Sequence, residues 1–335
     1  MRKLASIRTI SALNPIEGAD RIEVATIDGW NVVVNTGIHT VGEVIVYFEI
    51  DSLLPIRDEF EFLRKSSYIK LNDGTEGFRL KTIRLRGQVS QGLVTPLSVL
   101  PAGNWDIGDD VTDVIGVVKY EAPIPANLSG AVKGNFPSFI QKTDEERAQN
   151  FAKDWSRFKS YKYFVTEKLD GTSFTCYLRD GEFGVCSRNL ELKMDESNTH
   201  WKVAIENELE KKLRSIGRNL AIQGEIIGEG IQKNPYKIKG QKLFVFNIFD
   251  IDKYEYISKN ETKLILEKLN LNSVPEINTE MDLPNSIDEA LKIAEGKSAI
   301  NNKTEREGFV WVAIDSPERI SFKTISNKFL LDGGS

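Results

Sequence analysis

The sequence has only two cysteines and two histidines among its 335 residues. Cys176 and Cys186 do not form a C-x-x-C pair, and His39 and His200 are too few for a histidine-based metal site, so neither zinc nor redox chemistry is indicated. The longest apolar stretch, around residues 43–50, is far shorter than the roughly 20 residues that span a membrane. The N-terminus lacks the apolar core of a secretory signal. We therefore expect a soluble cytoplasmic protein with reduced thiols and no membrane partner.

An excess of positive charge is lacking as well. The 44 lysines and arginines are outnumbered by 49 acidic residues, which gives a net charge of −5. A nucleic-acid site would therefore have to be formed by local basic clusters. Two clusters occur: Arg79, Lys81, Arg84 and Arg86 in "FRLKTIRLR", and Lys233, Lys237, Lys239 and Lys242 in "IQKNPYKIKGQK". Either could follow a phosphate backbone, although the first could equally be the charged, solvated edge of a barrel.

Two regions of different pattern divide the chain. Residues 1–120 contain short apolar runs broken by turn residues, with a hairpin signal at Asp28-Gly29, and this pattern predicts a small β-barrel. Residues 121–135 include prolines and are interpreted as a linker. Over residues 136–335, strand-like and helical stretches alternate irregularly, which predicts an α+β domain of mainly antiparallel sheets with flanking helices. Thr143 and Glu146 have the spacing of a capping box, which predicts a helix beginning there.

The stretch "VTEKLDGTSF" at residues 165–174 is the most informative one. Lys168 and Asp170 are two positions apart, so on a strand their side chains would share one face, and Gly171 would let the backbone approach a ligand. A lysine whose pKa is lowered by burial or by a second cation can act as a nucleophile. Short motifs recur by chance, however, so these residues alone favour an ordinary surface lysine before a turn.

Further polar residues stand on or at the ends of predicted strands. They are Arg188 in "CSRN", Glu225 in "QGEIIGEG", Glu307 in "EREGFVW" and Lys323 in "SFKTI". Phe244 and Phe246 share one face of the stretch "FVFNIF", where aromatic pairs are more often core than ligand site. Cations, carboxylates and an aromatic surface are the groups that nucleoside triphosphate chemistry requires.

In this order and spacing, the motifs resemble those of the covalent nucleotidyltransferase superfamily, which includes DNA ligases, RNA ligases and mRNA capping enzymes. "TDEERAQN" and "GEGIQKNPY" are similar to RNA ligase sequences. DNA ligases and capping enzymes carry an OB domain after the fifth motif, whereas residues 324–335 alone follow Lys323 here, so we expect none there. A barrel ahead of the catalytic domain resembles the family-5 branch of ATP-dependent RNA ligases. Residues 1–120 would then be the OB-fold domain and residues 136–335 the nucleotidyltransferase domain.

This resemblance implies an ATP-dependent RNA ligase that joins 3′-hydroxyl and 5′-phosphate ends through a lysyl-AMP and an adenylylated 5′-end. Its catalytic residues would be Lys168, Asp170, Arg188 and Lys323. Its nucleotide-binding residues would be Glu167, Lys168, Arg188, Glu225, Phe246 and Lys323, with Lys328 as a further candidate because many ligases have two lysines in the fifth motif. Glu225 and Glu307 would hold Mg²⁺ or Mn²⁺, and Lys323 would lower the pKa of Lys168.

The expected partner is RNA, or a nicked duplex with a 3′-hydroxyl and a 5′-phosphate, bound by a monomer. Two other functions are left open by the sequence. One is a tRNA- or RNA-binding OB protein with a nucleotidyltransferase domain that is not a ligase, because "NPIEGADRIEVATIDGW" and "LRGQVSQGLV" resemble tRNA-binding OB domains. The other is a DNA ligase, or a capping enzyme that uses GTP.

Overall fold

The computed structural model describes residues 3–71, 74–120 and 132–332. The chain divides into two compact units. Met1–Pro123, Ala148–Trp155 and Leu330–Ser335 form the first unit, and Ile124–Arg147 and Ser156–Phe329 form the second. Residues 121–131, which make up most of the predicted linker, lie outside the described residues, so the domain bounds stay a prediction.

The first unit consists mainly of short β-strands. In chain order they are β1 (Ala5–Thr9), β2 (Ala12–Ile16), β3 (Ala19–Ile27), β4 (Trp30–Asn35), β5 (Val44–Phe48), β6 (Ser52–Leu54), β7 (Tyr68–Lys70), β8 (Glu76–Arg79), β9 (Thr82–Leu85), β10 (Gln88–Gln91), β11 (Leu93–Thr95) and β12 (Val118–Lys119). The short helices α1 (Arg64–Ser67) and α2 (Thr112–Ile115) accompany them. The strands pair antiparallel, in the sheet orders β1-β5-β11, β2-β3-β4, β9-β10 and β12-β6-β8-β7.

Turn residues and buried aromatic side chains explain this arrangement. Asp28 adopts a left-handed backbone with a φ of 50°, so β3 and β4 close a tight hairpin at the predicted position. Successive side chains of a strand point to opposite faces, and both faces of β5 are covered here: Tyr47 packs with Trp30 in one buried cluster, and Phe48 packs in another. Their removal from water is the main source of stability, at about 25 cal/mol per Å² of apolar surface. The antiparallel β-structure predicted for the N-terminal region is confirmed.

The second unit is built on two antiparallel sheets. The remaining strands are β13 (Val132–Asn135), β14 (Lys162–Lys168), β15 (Thr172–Arg179), β16 (Glu182–Cys186), β17 (Leu190–Leu192), β18 (Leu220–Gly228), β19 (Gln241–Asp250), β20 (Glu255–Tyr256), β21 (Glu276–Asp282), β22 (Gly308–Ala313) and β23 (Ser321–Ile325). One sheet has seven strands in the order β13-β17-β16-β15-β18-β19-β20. The other has four strands in the order β21-β14-β22-β23.

Helices flank these sheets. They are α3 (Trp155–Phe158), α4 (Thr199–Glu206), α5 (Leu209–Ile216), α6 (Lys259–Leu269), α7 (Ile287–Ala294) and α8 (Asn327–Leu331). The apolar side chains of α4, α5 and α6, such as Val203, Leu213 and Leu266, join one buried cluster with Ile222 and Val245 of the seven-stranded sheet. The predicted α+β architecture with antiparallel sheets is confirmed. Within the described ranges, none of the helices has the length and apolar character needed to cross a membrane.

The prediction that a helix begins at Thr143 is wrong. Residues 141–147, which we call the anchored segment, are not helical, and their end runs beside β23: the Lys323 amide donates to the Glu146 carbonyl at 2.7 Å, and Arg147 forms a parallel bridge with Lys323. Thr143 Oγ1 lies 3.4 Å from Ser173 Oγ rather than capping a helix. Pairing with a strand satisfies the backbone groups that a helix would otherwise satisfy, so tertiary context outweighs the local capping signal.

Candidate active site

Lys168 lies where the chain passes from one sheet of the second unit to the other. It is the last residue of β14, and after residues 169–171 the chain enters β15 of the seven-stranded sheet. In the four-stranded sheet Lys168 pairs with Gly308, the residue after Glu307. In the seven-stranded sheet Ser173 pairs with Glu225. The registers of the two sheets therefore bring Lys168 together with both predicted metal ligands.

Gly171 allows this junction to close. A Cβ atom at this position would collide with the carbonyl oxygen of Ile226 and would lie 2.8 Å from Cγ of Glu225. The glycine therefore admits the close approach of strand β18, and the predicted approach of a ligand to this backbone stays a prediction. Its small size sets the distance between the Lys168 turn and the strand that carries Glu225.

Asp170 lies in the turn after β14 and not in the strand itself. Because β14 ends at Lys168, the prediction that Lys168 and Asp170 share a strand face is wrong. The Asp170 amide donates instead to the hydroxyl of Tyr236 at 2.7 Å, and Tyr236 is buried in the loop after β18. Asp170 still raises the pKa of Lys168 through its charge. Sequence reasoning missed Tyr236, although this residue ends the RNA-ligase-like stretch "GEGIQKNPY".

The amine of Lys168 is ion-paired, with its Nζ 2.7 Å from Oε1 of Glu307. Burial alone would lower the pKa of Lys168, but the carboxylates of Glu307, Glu225 and Asp170 together raise it above its usual value. In the protein alone the carboxylates set the direction of the pKa shift, so the lowering of this pKa by Lys323 stays a prediction. A protonated amine cannot attack, so the site needs further positive charge before Lys168 becomes a nucleophile.

The carboxyl group of Glu225 is perturbed in the same direction. Burial raises its pKa to about 8, the positive charge of Lys168 opposes this shift, and the charges of Glu307 and Asp170 add to it. Three carboxyl groups thus surround one amine. Carboxylate oxygens are the ligands that hard cations prefer, so Glu225 and Glu307 are the candidates to hold one.

Arg188 and Lys323 both contact Asp144, a residue that sequence reasoning missed. Nη2 of Arg188 lies 3.1 Å, and Nζ of Lys323 lies 3.2 Å, from the same oxygen, Oδ1 of Asp144. Asp144 belongs to the anchored segment, whose sequence "TDEER" was interpreted as the start of a helix. Two cations that converge on one anionic oxygen can hold a phosphate oxygen in the same manner.

An apolar surface lies beside the Lys168 turn. Leu169, Ile227, Tyr236 and Val274 form a buried cluster, and the partly buried rings of Phe244 and Phe246 pack against it. Phe246 is partly buried against the core, and its predicted contact with the nucleotide stays a prediction. Such a surface can stack against a flat aromatic ligand.

Glu167 offers a polar group close to this surface. It is buried, and burial raises its pKa. Its Oε2 accepts a hydrogen bond from the Ala299 amide at 2.7 Å, whereas its Oε1 has no hydrogen-bond partner among the residues that the structure describes. Its charge also affects the hydroxyl of Tyr236, which places it near the apolar cluster. A buried acceptor without a donor is available to a ligand.

Lys328 is not brought into this arrangement. It lies on α8, and its Nζ is 3.4 Å from Oε2 of Glu295. Its side chain is more than half exposed, whereas that of Lys323 is 13% exposed. The structure thus offers Lys323, and not Lys328, to the Asp144 network.

The chain matches known families in both units. Residues 4–97 match an OB-fold domain family, and residues 161–325 match the RNA ligase family. Solved structures of Naegleria gruberi RNA ligase are similar over nearly the whole chain. The structure with pyrophosphate has a TM-score of 0.91 and 43% identity, and a variant with ATP and Mn has a TM-score of 0.91 and 42% identity; each comparison covers 98% of both chains. None of the curated proteins matches the chain significantly.

The matched region contains the predicted catalytic and metal-binding residues. The RNA ligase match over residues 161–325 includes Lys168, Arg188, Glu225, Glu307 and Lys323. A further solved structure, a Naegleria gruberi variant with AMP and Mn, also has 43% identity, a TM-score of 0.91 and 98% coverage of both chains. With this identity over nearly its full length, and with the OB-fold match ahead of the ligase match, the chain belongs to the RNA ligase family.

Proposed function

We propose that this RNA ligase uses ATP to join RNA 3′-hydroxyl and 5′-phosphate ends by way of a lysyl-AMP on Lys168. One observation carries the proposal: the amine lies in a carboxylate cluster, 2.7 Å from Glu307, and the same domain presents the paired cations Arg188 and Lys323. Carboxylates suit a divalent cation and paired cations suit a phosphate. The ATP and Mn, AMP and Mn, and pyrophosphate complexes of the Naegleria gruberi enzyme support this use of ATP and a divalent metal.

Two carboxylates fit a divalent metal ion. Oε2 of Glu307 is buried and has no hydrogen-bond partner in the described part of the chain, and Glu225 lies near it. Over residues 3–71, 74–120 and 132–332, no group of three or more acidic, histidine or cysteine side chains could hold a metal ion. The remaining oxygen ligands of Mg²⁺ or Mn²⁺ would therefore be water and phosphate. The bound ion would supply positive charge that lowers the pKa of Lys168 and neutralises the α-phosphate.

The first transfer follows from the residues around Lys168. After losing its proton to water, Nζ attacks the α-phosphorus of ATP, the nitrogen–phosphorus bond forms, and the bond to pyrophosphate breaks so that pyrophosphate leaves. Arg188 and Lys323 neutralise charge on the α-phosphate oxygens. In the next two steps the AMP passes to the RNA 5′-phosphate, and the 3′-hydroxyl then attacks that phosphate and releases AMP. Lys168 is regenerated when the AMP passes to the RNA.

The base of ATP would occupy the apolar surface beside the turn. We propose that the adenine ring stacks on Phe246 over the cluster that contains Leu169 and Ile227. The exocyclic amine of adenine is a donor, and Oε1 of Glu167 is a buried acceptor without a partner among the described residues. Guanine has a carbonyl at the corresponding position, so the same contact would disfavour GTP.

Labelling with radioactive nucleotides tests the proposed function directly. The protein is incubated with ATP, GTP or NAD⁺ and Mg²⁺ or Mn²⁺, and a denaturing gel shows whether label stays on the chain. We expect label from ATP alone, followed by sealing of a nicked RNA duplex, which we propose as the substrate. Absence of label from every nucleotide would contradict the proposal, and sealing restricted to DNA nicks would contradict its RNA part.

The affinity for the metal should rise with pH up to about 8. The pKa of Glu225 is raised to about 8, so below that pH the group carries a proton that a cation must displace, and above it the carboxylate is free. Binding of Mn²⁺ below pH 8 should therefore release protons, and the affinity should rise by up to about tenfold per pH unit there. Calorimetry in two buffers with different ionisation enthalpies measures the release. Glu225→Gln cannot titrate, so unchanged proton release in this variant would refute the assignment.

The lysine loop, which we define as residues 229–242 and which includes the first two residues of β19, is our proposed contact for RNA. Its Lys233, Lys237, Lys239 and Lys242 are all exposed. Lys233 and Lys237 have positive φ angles, and the loop is held by a 2.7 Å bond from the Thr304 hydroxyl to the Pro235 carbonyl. In the other basic cluster, the guanidinium of Arg79 lies 3.7 Å from the centre of the Tyr120 ring, so that arginine is engaged within its own unit.

Replacement of the four lysines of the lysine loop by glutamine should weaken RNA binding and leave lysyl-AMP formation unchanged. Each lost phosphate contact should flatten the log–log salt dependence by about 0.7–0.9. Fluorescence anisotropy over a salt series measures this slope. The matched control replaces four exposed lysines elsewhere, Lys202, Lys211, Lys253 and Lys268, which changes net charge equally. Equal slopes for the two variants would refute the loop as the contact.

We also propose that the enzyme works in the cytoplasm. Cys176 and Cys186 are buried free thiols, and burial raises the pKa of both. Structural thiols of this kind suit a reducing compartment. Fractionation of cells that express the protein with a small tag would place it.

A further inference from the structure

We infer that the carboxylate of Asp144 is a stand-in for the nucleotide phosphate, which occupies Arg188 and Lys323 until ATP displaces it. A single oxygen of Asp144, Oδ1, lies 3.1 Å from Arg188 Nη2 and 3.2 Å from Lys323 Nζ. One anionic oxygen shared by a guanidinium and an ammonium is the arrangement that a phosphate oxygen adopts with the same groups. This inference rests on the proposed function, because it takes the displacing phosphate to be that of ATP.

Asp144 is kept at the two cations by anchors on both sides of it in the chain. The side chain of Gln223, on β18, donates to the Gln141 carbonyl at 2.8 Å. The Lys323 amide donates to the Glu146 carbonyl at 2.7 Å. Asp144 lies between these anchors, so its backbone is fixed while its side chain, 35% exposed, can still turn away from the cations. A competing phosphate therefore has to move only a carboxylate and not the segment that carries it.

The two cations differ in how easily they change partner. Lys323 is on β23 and its side chain is 13% exposed, whereas Arg188 is in the turn between β16 and β17 and is 54% exposed. Lys323 therefore stays in place and exchanges the carboxylate for the phosphate, whereas the side chain of Arg188 moves to make the same exchange. The exchange lowers the net affinity for nucleotide, and it helps AMP to leave at the end of each cycle, because Asp144 takes the cations back.

The test is the affinity for 5′-AMP, which binds without reacting. Asp144→Asn keeps the size of the side chain and removes its charge, so its dissociation constant for AMP should fall by about tenfold, which corresponds to ~1.4 kcal/mol. Binding of adenosine, which has no phosphate, should be unchanged. The KM for ATP in lysyl-AMP formation should fall as well, and repeated sealing should slow because AMP leaves more slowly. Asp144→Glu retains the charge and should bind AMP as the wild type does.

Glu145→Gln is the matched control, because it removes the same charge from the next residue. The Glu145 carboxylate contacts Arg319 at 3.0 Å and the Ser321 hydroxyl, not the two phosphate-binding cations. Its AMP affinity should match that of the wild type. An equal gain in Glu145→Gln would show a general charge effect and overturn the inference.

Unchanged or weaker AMP binding in Asp144→Asn, together with slower lysyl-AMP formation, would mean that Asp144 only positions the cations, and this too would overturn the inference. The proposed function is judged separately, by lysyl-AMP formation in the wild type. If the wild type forms no lysyl-AMP and binds no AMP, both proposals fail. If it forms lysyl-AMP normally while Asp144→Asn shows no gain in AMP affinity, the inference alone fails.

Discussion

Lys168→Arg and Lys168→Ala should each abolish lysyl-AMP formation, by at least about 10⁴-fold, which is the scale of losing an enzyme nucleophile. Arginine can keep the ion pair with Glu307, which lies 2.7 Å from the lysine amine. It cannot lose its proton, however, and therefore has no lone pair with which to attack phosphorus. The arginine variant thus separates the charge of Lys168 from its nucleophilicity. Transfer of label from ATP to the protein, measured on a denaturing gel, checks the result.

Lys162→Ala is the matched control for these variants. Lys162 is the first residue of β14, at the opposite end of the strand from Lys168, and its side chain is 48% exposed in a surface pair with Asp282. Such exposed pairs contribute little to stability, so labelling and thermal unfolding should both stay close to wild type. Label retained on Lys168→Arg would mean that another residue is the nucleophile.

Much of the site could be predicted from the sequence because its residues lie on strands or directly before them. Lys168, Glu225 and Glu307 each stand on a strand or directly before one, and antiparallel registers then decide which of them meet. Short sequence motifs therefore indicated which side chains would lie close together. Asp170 shows the limit: it lies outside a strand because β14 ends at Lys168, and strand ends are the least certain part of a sequence prediction.

The Asp144 network was out of reach of the sequence for a different reason. Asp144, Arg188 and Lys323 come from three distant parts of the chain, and their meeting depends on the pairing of the anchored segment with β23. The local pattern of Thr143 and Glu146 favoured a helix, which would have directed Asp144 elsewhere. By contrast, the hairpin at Asp28-Gly29 needed only a tight turn with a left-handed backbone at Asp28, which is a local property, and it was predicted correctly.

Glu307→Gln should reduce lysyl-AMP formation by about 10²–10³-fold, and two opposing effects decide the sign. The carboxylate of Glu307 raises the pKa of Lys168, so its loss should lower that pKa and free more of the amine, a gain worth about 1.36 kcal/mol per pKa unit. The same change removes one of two carboxylates proposed for the metal, whose charge stabilisation is worth several kcal/mol. Losing the metal ligand therefore outweighs the gain in free amine, and the rate falls.

Both effects of Glu307→Gln are visible in one experiment. Single-turnover formation of lysyl-AMP is followed across pH and Mn²⁺ concentration. Because the pKa of Lys168 falls, the residual rate should level off at a lower pH than in the wild type, and because a metal ligand is lost, half-saturation should need more Mn²⁺. Glu305→Gln is the control, since Glu305 stands two residues before Glu307 and pairs with Lys297 at 2.5 Å. If Glu307→Gln needs no more Mn²⁺ than the wild type, Glu307 is not a metal ligand. If its pH profile is not shifted, the ion pair between Glu307 and Lys168 does not govern the reactivity of the amine.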